Sequence, residues 1–181
     1  MGFTNLTTKK KLFSIWCNRC KNSIIEVNAH GNNIYNPDIE IEDFEFVGQE
    51  YRSAIAAGDY NRAKKLYTEA VLVAAKNDIT HLDINGDEKL EPTDVNTVMQ
   101  FFIMDLDKDG YIDENEYAAY LYAIDANNKD KVAKGRITRE EYLKTAKLEN
   151  QKKLTNESAT FKGQIISCYK GLFGYDPRPS E

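Results

Sequence analysis

Apolar residues recur at three-four spacing through most of the chain. Leu12, Phe13, Trp16, Cys20 and Ile24 fall near one face of a helix over residues 9–25. Turn-forming residues at 29–33 and 35–38 then mark a boundary. Beyond them Val47, Tyr51, Ala54 and Ile55 make one helical face. Gly58-Asp59 breaks that helix, and Asp59 can cap a second whose face is Ala63, Leu66, Tyr67, Ala70, Val71 and Ala74. The spacing returns at Val95, Val98, Met99 and Phe102, and again at Tyr117, Tyr120, Leu121 and Ile124. A last stripe, Phe161, Ile165, Cys168, Tyr169 and Leu172, is ended by Gly174 and Pro177. The pattern predicts an all-α protein whose only strands are short β-bridges between loops. Its parts are a basic N-terminal segment (1–36), a helical hairpin (37–78), a loop-bearing region (79–148) and a C-terminal helix with its tail (149–181).

Charge sharpens this division. The 181 residues carry a net charge of −5, unevenly distributed. Between Asp78 and Glu116 only Lys89 and Lys108 are positive, whereas the first 22 residues hold Lys9, Lys10, Lys11, Arg19 and Lys21 and no acid. That asymmetry implies a cation site in the middle and a basic arm in front. An acidic balance without a reader motif argues against nucleic acid, and no apolar run reaches transmembrane length. The stretch 12–16 is too short, and too broken by Ser14, for a secretory signal. Three cysteines, an odd number, argue against a disulfide scaffold and for a reducing, cytoplasmic setting.

The middle of the chain supplies the chemistry. Asp105, Asp107 and Asp109 alternate, Gly110 follows, and Glu116 closes a run of twelve residues. Calcium takes six to eight oxygens, roughly 2.3–2.6 Å away, and this spacing can provide them. The aspartates give carboxylates, Tyr111 a backbone carbonyl, Asp113 a site for a water, and Glu116 two oxygens from the far side. The bland reading of the same residues is a helix cap, because Asp113 and Glu116 also form a D-x-x-E box. A second run, 83–94, has Asp83, Asn85 and Asp87 at the first, third and fifth places, with Lys89 for a carbonyl, then Glu91 and Asp94. Glu88 stands in place of the turning glycine, and Asp94 is shorter than a closing glutamate. A third, stretched segment offers Asp125, Asn127, Asp130, Arg136 (in the place of Tyr111 and Lys89) and Glu141. About five extra residues interrupt it.

In these loops the chain resembles the EF-hand calcium-binding superfamily over about residues 79–148, completely at 105–116. The resemblance implies helix-loop-helix repeats, a calcium cofactor and an intracellular sensor or buffer. The alternative is a calcium-stabilised helical scaffold or protein-interaction module. Asp83 and Asp105 are only 22 residues apart, so successive loops are predicted to share helices. A shared helix over 92–104 would be roughly 18 Å long. It would keep neighbouring loops apart and leave Leu90 to bridge Ile137.

Two further resemblances carry less. The string Gly58-Asp-Tyr-Asn-Arg-Ala63 with Tyr67 and Ala70 looks like the middle of a tetratricopeptide repeat. Only one unit is present, which predicts a hairpin and not an array. Trp16-Cys17-Asn-Arg-Cys20 is similar to thioredoxin-like motifs but lacks their βαβ setting. Zinc there would need His30, His81 or Cys168 as partners, none at a recognised spacing. No catalytic set emerges, and an enzyme is not expected. The basic helix 9–25 is expected to dock on the chain's own groove of Met99, Phe102, Tyr117 and Leu121, or on a protein partner.

Overall fold

The computed structural model describes residues 25–27, 33–35, 43–95, 98–149 and 155–178. The expected basic helix, with Trp16, Cys17 and Cys20, lies outside these residues except at its last position. Ile25 belongs to strand β1 (Ile25–Val27), which pairs antiparallel with β2 (Asn33–Tyr35) across the turn-forming residues. A hairpin replaces the helical end and the turn-only boundary predicted here. The β-branched Ile25 and Val27, with turn residues beyond them, favour that outcome.

Among the described residues the architecture is mostly helical, with six helices. Helix α1 (Gln49–Ala56) stops at Gly58, whose φ of +72° suits a residue without a Cβ. Asp59 then caps α2 (Tyr60–Leu82) by accepting from the Arg62 amide. Two helices therefore form where the apolar spacing predicts, but Val47 lies ahead of α1 and Ile55, expected on its buried face, is exposed. At 23 residues, α2 is about 35 Å long, and it runs through the expected boundary at 78/79 into the first acidic loop. Helices α3 (Val98–Met104), α4 (Glu114–Asp125), α5 (Arg139–Glu149) and α6 (Asn156–Phe173) follow. Thr155 caps α6, and Gly174 ends it in the left-handed conformation.

Helix α4 is the centre. Every residue from Glu116 to Leu121 is buried, because α2 packs on one side of it and α6 on another. Tyr120 meets Phe161 edge to face, and one apolar core runs from Val47 and Tyr67 through Leu90 and Ile112 to Tyr169. The hairpin and the loop region thus share a single core.

Loop pairing departs from expectation. Leu90 bridges Ile112, not Ile137, by reciprocal amide–carbonyl bonds of 3.0 and 2.9 Å. Separation of the loops requires one helix over 92–104, but residues 92–95 form a turn and α3 begins only at Val98. With so short a connector the two loops fold back side by side. Both bridging residues become fully buried and their backbone groups are satisfied. The expected face of α3 is also rotated: Met99, Ile103 and Met104 point inward, while Val98 and Phe102 are exposed. Ile137, in β4 (Arg136–Ile137), pairs instead with Phe44 of β3 (Phe44–Glu45), just before the hairpin. Asp43 holds this junction by accepting from the Arg136 side chain and the Arg139 amide.

Candidate metal centre

The loop at 105–116 hangs between α3 and α4. Gly110, at φ +90°, turns it back on itself, and the reversal gathers the three alternating aspartates. One carboxylate oxygen each from Asp105, Asp107 and Asp109 lies within 4.8 Å of the others. Asp105 is nine-tenths buried, and its Oδ1 has no hydrogen-bond partner among the described residues. Burial raises the pKa of both Asp105 and Asp107, against the lowering effect of loop amides and together with mutual repulsion. An enclosed carboxylate oxygen without a donor, beside two further carboxylates, suits a hard cation with oxygen ligands. On this test the residues fit calcium.

Glu116 stands differently. Its Oε1 accepts from the Leu106 and Asp107 amides at 2.7 and 3.2 Å, and its Oε2 from Asp113 at 3.0 Å. Asp113 reciprocates by accepting from the Glu116 amide at 2.9 Å, which completes a capping box on α4. Burial pushes the Glu116 carboxyl up to about 8 despite those amides. The closing carboxylate thus ties the beginning of the loop to its end. Tyr111 lies at the rim under the Lys89 ammonium, 5.0 Å from its ring centre.

In the loop at 83–94, Asp83 Oδ1 accepts from the Asn85 and Gly86 amides, and its Oδ2 from the Glu88 amide at 2.7 Å. Glu88 adopts φ +64°, the left-handed conformation expected at the missing glycine. Asn85 accepts from the Asp87 amide, and Asp87 from the Lys89 amide. Asp94 is buried and accepts from the Glu91 amide at 2.8 Å. The carboxylates here mostly serve the loop's own backbone.

The stretched segment goes further in that direction. Asp125 is fully buried; its Oδ1 accepts from the Lys134 amide, and its Oδ2 from the Tyr67 hydroxyl and the Gly135 amide. Glu141 accepts from the Thr138 amide and from Asn128. Asn127 offers its carbonyl to Lys144, Asp130 pairs with Lys134, and the Arg136 side chain pairs with Asp43. Asn128 was not among the expected ligands. Its amide nitrogen donates to the Asp125 and Val132 carbonyls and to Glu141 Oε1, at 2.9, 2.8 and 3.1 Å. One N–H₂ group draws together oxygens of the kind a cation would collect. Asn128→Ala should therefore cost about 2 kcal/mol in urea denaturation, with or without calcium. An unchanged midpoint would show that the loop does not depend on this clamp.

Lys162 also escaped the sequence reading. From α6 it bonds the carbonyls of Phe102 and Asp105 and covers the Phe102 ring. Nothing local in the sequence signals a partner 57 residues away. Of the groove expected to receive the basic helix, Met99, Tyr117 and Leu121 are buried within the chain, where α6 lies along α4. Of the other histidine and cysteine candidates, His30 lies outside the described residues, the His81 ring meets the Asn77 carbonyl, and Cys168 is buried, its thiol pushed up to about 12. No helix among the described residues is long and apolar enough to cross a membrane. Comparison of the chain with protein-family models, curated proteins and solved structures gives no match.

Proposed function

We propose that this chain is a calcium-binding protein of the EF-hand kind, acting as an intracellular sensor or buffer. The observation that carries the reading is the enclosed Asp105 carboxylate, which has one oxygen without a donor among the described residues and clusters with Asp107 and Asp109. Those three residues, the Tyr111 carbonyl and Glu116 would hold the ion, with a weaker site among Asp83, Asn85, Asp87, Lys89, Glu91 and Asp94. Bound there, calcium supplies positive charge that offsets the repulsion between the aspartates. The chain does the rest. Gly110 sets the turn, and the Leu90–Ile112 bridge joins the two loops, so that ligands in one are mechanically tied to the other.

Calorimetric titration with calcium tests this. Glu116→Gln removes the charge of the closing carboxylate and should abolish the tightest phase. A tightest phase that survives the change would refute the assignment of 105–116 as the principal site.

A calcium-stabilised scaffold is the second reading, and α6 favours it. That helix already lies along α4, and Lys162 pins it to the end of α3. An apolar-surface dye separates the two roles. Calcium-induced dye binding supports a sensor that opens, and an unchanged signal with raised stability supports a scaffold.

A further inference from the structure

A cavity of about 470 Å³ lies where the helical hairpin meets the stretched loop, away from the clustered aspartates. Tyr51 and Ile55 of α1, Tyr67 of α2, Tyr122 of α4 and Leu172 of α6 give it aromatic and aliphatic walls. The Tyr67 hydroxyl is spent on Asp125, and the Thr68 hydroxyl on the Lys64 carbonyl. Another wall is Lys131-Val132-Ala133, part of the extra length that sets this loop apart from the other two. Lys131 holds a left-handed backbone at φ +56°, and Asn128 grips the Val132 carbonyl. The added residues are therefore held in place as a wall.

Charge completes the picture. Among the described residues the only ionisable groups in the lining besides tyrosines are Lys64 and Lys131, and no acidic residue lines it. Neither lysine forms an ion pair among the described residues. The volume lies within the range of about 300–1,000 Å³ usual for small-molecule sites. We infer that this cavity binds a small amphipathic carboxylate, its apolar body among the tyrosine rings and its head group at Lys64 and Lys131. Ammonium point charges, with no arginine among the described lining residues, suit an anionic head such as a carboxylate. Residues of four helices and a loop line the recess, and its volume suits a compact ligand better than an extended peptide. In this molecule the stretched loop has given its length to a ligand wall.

Calorimetry of the full chain with decanoate, in chelator, tests the inference independently of calcium. One decanoate per chain is expected. Lys64→Glu with Lys131→Glu should weaken it at least about tenfold, while binding of uncharged 1-decanol changes less than about twofold. The gentler pair Lys64→Gln with Lys131→Gln keeps most of the side-chain bulk and should show a loss of the same kind with unchanged circular dichroism. Absence of binding up to about 1 mM decanoate, a millimolar constant being the weakest that a built site would give, would overturn the inference. Equal affinity in the parent and the glutamine pair would overturn it too, as would an acidic peptide that displaces decanoate and binds more tightly.

Discussion

Glu149→Gln is expected to stabilise the protein at pH 8 and to make its decline in stability between pH 5 and 8 distinctly shallower. Glu149 closes α5 only 2% exposed, and the Tyr120 hydroxyl of α4 donates to its Oε1. Burial pushes its carboxyl from 4.5 up to about 8, against the lowering effect of that hydrogen bond. The folded protein therefore keeps a proton that the unfolded chain releases above pH 4.5. Stability from this group is complete below pH 4.5 and is lost as pH rises toward 8, at up to about 1.4 kcal/mol per pH unit. Over that window the loss approaches 5 kcal/mol. Glutamine keeps the acceptor for Tyr120 and carries no proton to lose. Asp125 and Glu116, whose carboxyls are pushed up to about 6 and about 8, act in the same direction but are common to both chains. Urea denaturation of parent and variant at pH 5, 6.5 and 8 reads the difference. Parallel stability–pH curves would mean that Glu149 titrates alike in the folded and unfolded chains.

Asp105→Asn should change stability in opposite directions with and without calcium. In chelator the parent bears a nine-tenths buried carboxylate with an oxygen that no donor meets. Asparagine removes that charge and the repulsion from Asp107 and Asp109, so the variant should be equally stable or firmer by about 1 kcal/mol. In calcium at about one hundred times its dissociation constant the parent gains roughly 2.7 kcal/mol by mass action. The variant, short of a central ligand, should forfeit most of that gain. Melting curves of both chains in chelator and in calcium supply the four numbers. If the variant keeps the full calcium increment, Asp105 is no ligand. If it is much weaker in chelator, the carboxylate is there for structure.

The helices were legible because each carries its burial in local spacing. Ala63, Tyr67, Val71 and Ala74 line α2 as their period requires, and Asp59 and Gly174 stand at helix ends where a side chain or a φ value satisfies backbone groups. The triple-aspartate loop was legible for the same reason. Five residues and one glycine bring its carboxylates together without help from the rest of the chain.

What joined these pieces was decided elsewhere. Whether Leu90 would meet Ile112 or Ile137 turned on the length of one helix, and apolar spacing cannot tell a turn at 92–95 from a first helical turn. The strand before the hairpin that pairs with Ile137, and the lysine of α6 that reaches the Asp105 carbonyl, are partners 93 and 57 residues away. Asn128 looked like part of an interruption until folding put its amide among three oxygens. By itself the sequence determined α1, α2, α4 and α6, the ends at Asp59 and Gly174 and the acidic cluster, because those depend on neighbours within a turn or two. Only the tertiary structure decided which loops pair, which helix covers α4 and what the extra residues of the stretched loop enclose. Those outcomes depend on how distant surfaces compete to be buried in one core.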